Sequence, residues 1–198
     1  LSEVVTISRQ FLRSVRIDTD LGREDALNGY VCQGTAQSLI ENMARQIKET
    51  RQRAFTWTGP YGGGKSSLAL LLCSLVGANK SLRSKALGML SPTEESQIPT
   101  VFSAKGAGWL VVPLVGKRAK VHEELAAALC RAKGDSPGKR KTGAPSDVIG
   151  ELVNSSEQHA QGVLVVIDEM GKFLETASHD GGDLHFFQEL AEQASRSA

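Results

Sequence analysis

The chain has 198 residues, 23 of them Lys or Arg and 22 Asp or Glu, for a net charge of +1. That balance gives no general attraction to nucleic acid or to an anionic membrane. No apolar stretch reaches the ~20 residues a membrane-spanning helix needs, and the length suits one domain around one core.

Cys32, Cys73 and Cys130 are an odd, widely spaced set. They fit neither a disulfide framework nor a zinc site and read as buried, reduced thiols of a cytoplasmic protein. His122, His159, His179 and His185 have no metal-ligand spacing, and His179 and His185, beside a glycine-containing loop, read as solvated. Residues 1–10 lack the basic-then-apolar layout of a signal peptide. The chain opens on Leu1 without an initiator Met, as a fragment would, and a fragment hides any leader.

In chain order, residues 1–34 read as an N-terminal arm leading into the domain. Phe11, Val15 and Ile17 predict a short strand or extended arm over 10–18, and residues 18–29 are polar and turn-rich. Residues 35–50 predict an amphipathic helix with Thr35 as N-cap and Ala36, Leu39, Ile40, Met43 and Ile47 on one face. Residues 54–58 predict a buried strand and 65–76 a buried helix. Residues 79–97 read as a helical or irregular excursion, bounded by Ser91-Pro92 and Pro99. Residues 109–112 predict the next strand, which Pro113 ends or places at a sheet edge. Helices are expected over 119–133, 147–159 and 184–194, the last carrying Phe187, Leu190 and Ala191. Between them lie a Gly/Pro/Lys-rich loop at 134–146, an unbroken apolar strand at 163–167, and a loop with a short helical start at 171–183. There is no internal repeat.

Strands alternating with helices predict right-handed parallel βαβ units. The expected architecture is therefore a doubly wound α/β parallel sheet, with residues 35–198 as a P-loop nucleotide-binding domain. The wide spacing between residues 65 and 168 puts insertions at 79–107 and 134–146.

Between the strand at 54–58 and the helix that follows stands Gly59-Pro60-Tyr61-Gly62-Gly63-Gly64-Lys65-Ser66, a complete match to the P-loop pattern G-x-x-x-x-G-K-[ST]. In this setting the loop amides curl around phosphate oxygens and the helix N-terminus adds partial positive charge. Lys65 reaches the β- and γ-phosphates, and the Ser66 hydroxyl ligates Mg²⁺. The phosphate-binding set is Gly59, Pro60, Tyr61, Gly62, Gly63, Gly64, Lys65, Ser66 and Ser67. A tight structural turn would explain the glycines. It would leave a lysine facing the like-signed partial charge of a helix start with no anion above it.

The run Val163-Leu164-Val165-Val166-Ile167 ends in Asp168-Glu169. Unbroken apolarity suits a central parallel strand covered on both faces. Its carboxyl end opens on the crevice where ligands bind in α/β sheets. This is the Walker B pattern: Asp168 holds Mg²⁺, and Glu169 orients and deprotonates an attacking water. A plain helix cap and first-turn acid is the alternative for this pair taken alone. Together with the glycine loop, it reads as half of a nucleotide site.

At residues 58–72 and 163–174 the chain resembles prokaryotic P-loop ATPases of the AAA or STAND-like type, and more narrowly some large bacterial ATPases linked to phage defence. An acid directly after the Walker B Asp accords with the hydrolytic groups. The resemblance implies Mg²⁺-ATP as ligand, ATP hydrolysis, and Glu169 and Lys65 as catalytic residues. The absence of an Asn-Lys-x-Asp guanine-reading motif agrees. It also implies a sensor strand, an arginine finger and often a helical lid after the last helix. The chain therefore reads as the front of a nucleotide-binding domain, its partners being further domains or protomers of an oligomer.

In the resembling ATPases the region of Tyr30 often lines the adenine, so Tyr30 either stacks on a purine or pins the arm to the core. Lys117-Arg118 either touches phosphate, nucleic acid or an acidic surface, or is a solvated helix start, so nucleic acid stays open as a partner. Lys139-Arg140-Lys141, with Lys133, forms a basic loop without interleaved aromatics, which reads as solvated. Lys172 reads as a helix-surface lysine, and Glu175 and Asp180 as solvated acids. Three functions remain: an ATPase that drives a conformational change, a slowly hydrolysing nucleotide switch, and a P-loop phosphotransferase. The last would need an acceptor site and an arginine-rich lid, and neither is recognisable.

Overall fold

The computed structural model describes residues 15–50, 52–135, 143–158, 161–179 and 184–196. The fold is organised by helix α3 (Lys65–Val76), whose sequence is apolar on every side after its first turn. A helix of that kind has no face to show to water, and every residue from Leu68 to Val76 is buried. Each fully buried leucine in it, such as Leu70 or Leu71, stabilises the fold by about 2 kcal/mol.

Around α3 lie α1 (Ile17–Asp20), α2 (Gly34–Glu49), α4 (Lys80–Leu90) and α5 (Ile98–Val101). The core they share contains Ile17, Leu27, Ile40, Ala44, Ala86, Leu90, Ile98 and Phe102. Helix α4 folds back on α3 after Asn79, whose side-chain oxygen caps it by accepting from the amides of Ser81 (2.9 Å) and Leu82 (3.2 Å).

A second core follows. Strand β1 (Leu110–Val115), helices α6 (Val121–Lys133) and α7 (Pro145–Gln158), strand β2 (Val163–Asp168), α8 (Gly171–His179) and α9 (His185–Arg196) complete the order. β1 and β2 pair in parallel, from Leu110 opposite Val163 to Val115 opposite Asp168. Leu110, Val112 and Leu114 point into the second core with Leu125, Leu129, Leu152, Phe173 and Phe186. Val111, Val115, Leu164 and Val166 lean on the first. The sheet thus divides two hydrophobic cores, and both strands end toward the same side.

The doubly wound parallel sheet is not what forms. Among the described residues the sheet has two strands, and most of the chain is helical. Residues 54–58 form no strand. Phe55 and Trp57 are half-buried, Thr56 and Thr58 are exposed, and Trp57 rests on the first core. A ladder needs a neighbouring backbone as well as an apolar run, and the ladder of β2 goes to β1 alone among the described residues. Val163–Ile167, expected to be covered on both faces, are all half-buried for the same reason.

β1 runs through Pro113 instead of ending before it. Its second edge carries no ladder among the described residues, so a missing N–H costs nothing there.

Two further expectations change. At the chain's beginning, residues 17–20 are a helical turn and not an extended arm, because Asp20 accepts the Arg16 amide at 2.9 Å and closes the turn locally. Residues 171–179, read as mostly loop, are the regular helix α8 with Phe173 buried. Helix α2 starts at Gly34, with Gln33 and not Thr35 at its N-cap. The readings at residues 1–10, Lys139-Arg140-Lys141, His159 and Asp180 lie outside the described residues.

Candidate nucleotide site

Two left-handed glycines shape the phosphate loop: Gly62 at φ 72° and Gly64 at φ 77°, ψ 12°. A side chain at either would cost roughly 1–2 kcal/mol. Gly64 turns the chain directly into α3, which has no side-chain cap. Its first amides therefore have no side-chain acceptor at the cap, the arrangement that anion-binding helix starts share. Lys65 folds back over the loop, with Nζ donating to the carbonyls of Gly59 (2.8 Å) and Pro60 (2.7 Å). Lys65, Ser66 and Ser67 are half-buried at the loop's base, while Tyr61 stands 97% exposed at its tip.

The second half of the candidate site lies at the exit of β2. Asp168 Oδ1 accepts the Glu169 amide at 3.0 Å, which orients the carboxylate. The Gly116 amide, just past β1, donates to the Asp168 carbonyl at 2.7 Å. A Cβ on residue 116 would fall 2.0 Å from the Glu169 carbonyl oxygen, so only glycine lets the two strand exits meet so closely. Glu169 itself sits at φ 54°, a left-handed conformation uncommon for a non-glycine residue and often found at functional sites. From there the chain turns into α8, whose Lys172 amide donates to the Glu169 carbonyl at 3.1 Å.

An ion pair forms at the start of α8. The Lys172 ammonium contacts the Glu169 carboxylate. Its pKa is raised first by that hydrogen bond, then by the Glu169 charge, with a smaller contribution from the Tyr61 phenol. Arg16 is raised mainly by its bonds to Asp18, and last by Glu169. Helix α3, which carries the loop, lies against β2.

A divalent cation can be tested against these donors. Among the described residues no group of three or more His, Cys, Asp or Glu could hold a metal ion. Mg²⁺ in phosphate sites takes one or two protein oxygens and completes its octahedron with phosphate and water. The Ser66 hydroxyl and the Asp168 carboxylate fit that sparse requirement.

The other candidates fall elsewhere. Tyr30 is half-buried against the first core, and burial raises its phenol. Lys117 pairs with Glu124 at 2.8 Å, while Arg118 is exposed. Lys133 is paired with Glu151 at 3.0 Å, tying α6 to α7 instead of joining a basic loop. Glu175, His179 and His185 are exposed. Of the thiols only Cys73 is fully buried, and burial pushes it up to about 12; Cys32 and Cys130 are half-buried. Gly116 left no signal in the sequence, while Lys172, read there as a helix-surface lysine, stands at i,i+3 spacing from Glu169 and pairs with it.

Among the described residues, no helix is long and apolar enough to cross a membrane. No family model matches the chain, nor does any curated protein or solved structure.

Proposed function

We propose that this chain binds Mg²⁺-ATP in the loop of Gly59 to Ser67 and hydrolyses it, driving a conformational change in a larger protein. The observation that carries the reading is an uncapped α3 N-terminus, presented by two left-handed glycines and followed at once by Lys65. Lys65 exchanges its two loop carbonyls for phosphate oxygens, so that its ammonium meets anionic acceptors in place of neutral ones. Ser66 and Asp168 hold the Mg²⁺, which supplies neutralisation of the phosphate charge. Glu169 takes a proton from the attacking water as its oxygen bonds to the γ-phosphorus and the bond to the β-phosphate oxygen breaks. Further domains or protomers supply the remaining transition-state cation, and the reduced thiols accord with a cytoplasmic setting.

A slowly hydrolysing nucleotide switch is the second reading. The observation that favours it is the Glu169 carboxylate already engaged by Lys172.

Steady-state phosphate release separates the two. Glu169→Gln is expected to lower turnover by about 10²–10⁴-fold while keeping ATP bound. Turnover as low in the wild type as in the variant, with ATP held, selects the switch. Brisk turnover untouched by the substitution removes Glu169 from the chemistry.

A further inference from the structure

Both groups on which hydrolysis would depend are held by partners within the chain. Lys65 is folded onto the loop carbonyls of Gly59 and Pro60. Glu169 is held by Lys172. The second arrangement is the more constrained. The Glu169 backbone is fixed at φ 54°, with Gly116 wedged beside its carbonyl, so it has little freedom to swing. What remains adjustable is the direction of the carboxylate. Lys172 is anchored in the turn that begins at Glu169, its own amide on the Glu169 carbonyl, so its ammonium is delivered to that carboxylate.

Resting on the ATPase reading above, we propose that Lys172 is a positioning residue that acts as a brake. It holds the Glu169 carboxylate away from the attacking water and slows hydrolysis until the pair opens. A carboxylate whose lone pairs are occupied by an ammonium is a poorer proton acceptor, and its direction is set by the cation instead of by the water. The pair is substantially exposed, 50% for Lys172 and 41% for Glu169. Exposed ion pairs are weak, so the brake is modest, worth about two- to fivefold in rate.

The test combines turnover with Mg²⁺-ATP binding in the same preparations. Lys172→Met is expected to raise kcat about two- to fivefold with KM unchanged, and Lys172→Arg to restore the wild-type rate. In the Glu169→Gln background the Lys172→Met gain should vanish, which a merely structural lysine would not produce. If Lys172→Met binds ATP as the wild type does and its kcat is unchanged or lower, the brake is overturned alone. The same follows if the gain persists without Glu169. If the wild type itself does not bind Mg²⁺-ATP, the ATPase reading falls and the brake with it.

Discussion

The glycine loop before α3 and the exit of β2 are held in place by different means. The loop is carried by α3, buried from Leu68 to Val76 without interruption. Its shape comes from glycines that adopt left-handed backbone at little cost. The exit of β2 is carried by a strand whose six residues are all half-buried. Its shape comes from a non-glycine residue, Glu169, in a less favourable conformation, set by contact with another strand exit. One half is therefore rigid and locally determined. The other is more exposed and held by long-range contacts and an ion pair.

The comparison can be broken by parallel truncations. Leu71 is fully buried in α3, and Leu71→Ala is expected to lower unfolding free energy by about 3 kcal/mol. Val165 in β2 is half-buried, and Val165→Ala should cost only about 1 kcal/mol. Denaturant titration of the two variants measures both. Equal losses would mean that β2 is as much a part of the rigid frame as α3.

A smaller effect sharpens the same point through pH. Cys73 lies in α3, and burial raises its thiol from 9.0 to about 12. Above pH 9 the unfolded chain loses this proton while the folded chain keeps it, so the unfolded state is favoured progressively. The contribution is complete below pH 9 and lost as pH rises toward 12. Cys73→Ala should flatten the fall in stability over that window. At pH 8 a thiol reagent should modify the half-buried Cys32 and spare Cys73 until the protein unfolds. Rapid native-state labelling of Cys73 would show that α3 opens readily.

What could be read from the sequence follows the same division. The glycine loop and the bounds of α3 were readable because left-handed turns, a helix start and an all-apolar helix are local properties. The strand leading to Asp168 and the helices α6, α7 and α9 were readable from periodicity, while proline chemistry left two readings for the strand containing Pro113, an end or an edge, and β1 runs through it. The sheet was not. Residues 54–58 have strand-like composition, but whether they join a ladder depends on a neighbour that composition cannot specify. The turn at α1 was hidden because it rests on the Asp20 side chain, which outweighs the alternation of Val15 and Ile17. At the site, the close approach of Gly116 to Glu169 joins residues far apart in the chain, and a lone glycine gives no warning of it. Lys172 sat at helical spacing from Glu169, but its bearing on the acid appears only once residues 171–179 are seen to be helical from their first turn.

The most direct measurement is calorimetric binding of Mg²⁺-ATP to the wild type and to Lys65→Ala, with matched folding by circular dichroism. The account predicts saturable binding by the wild type and a loss of about a hundredfold or more in affinity for the variant, since a charge partner of the phosphates has been removed. Equal affinity for both, with the fold intact, would contradict it.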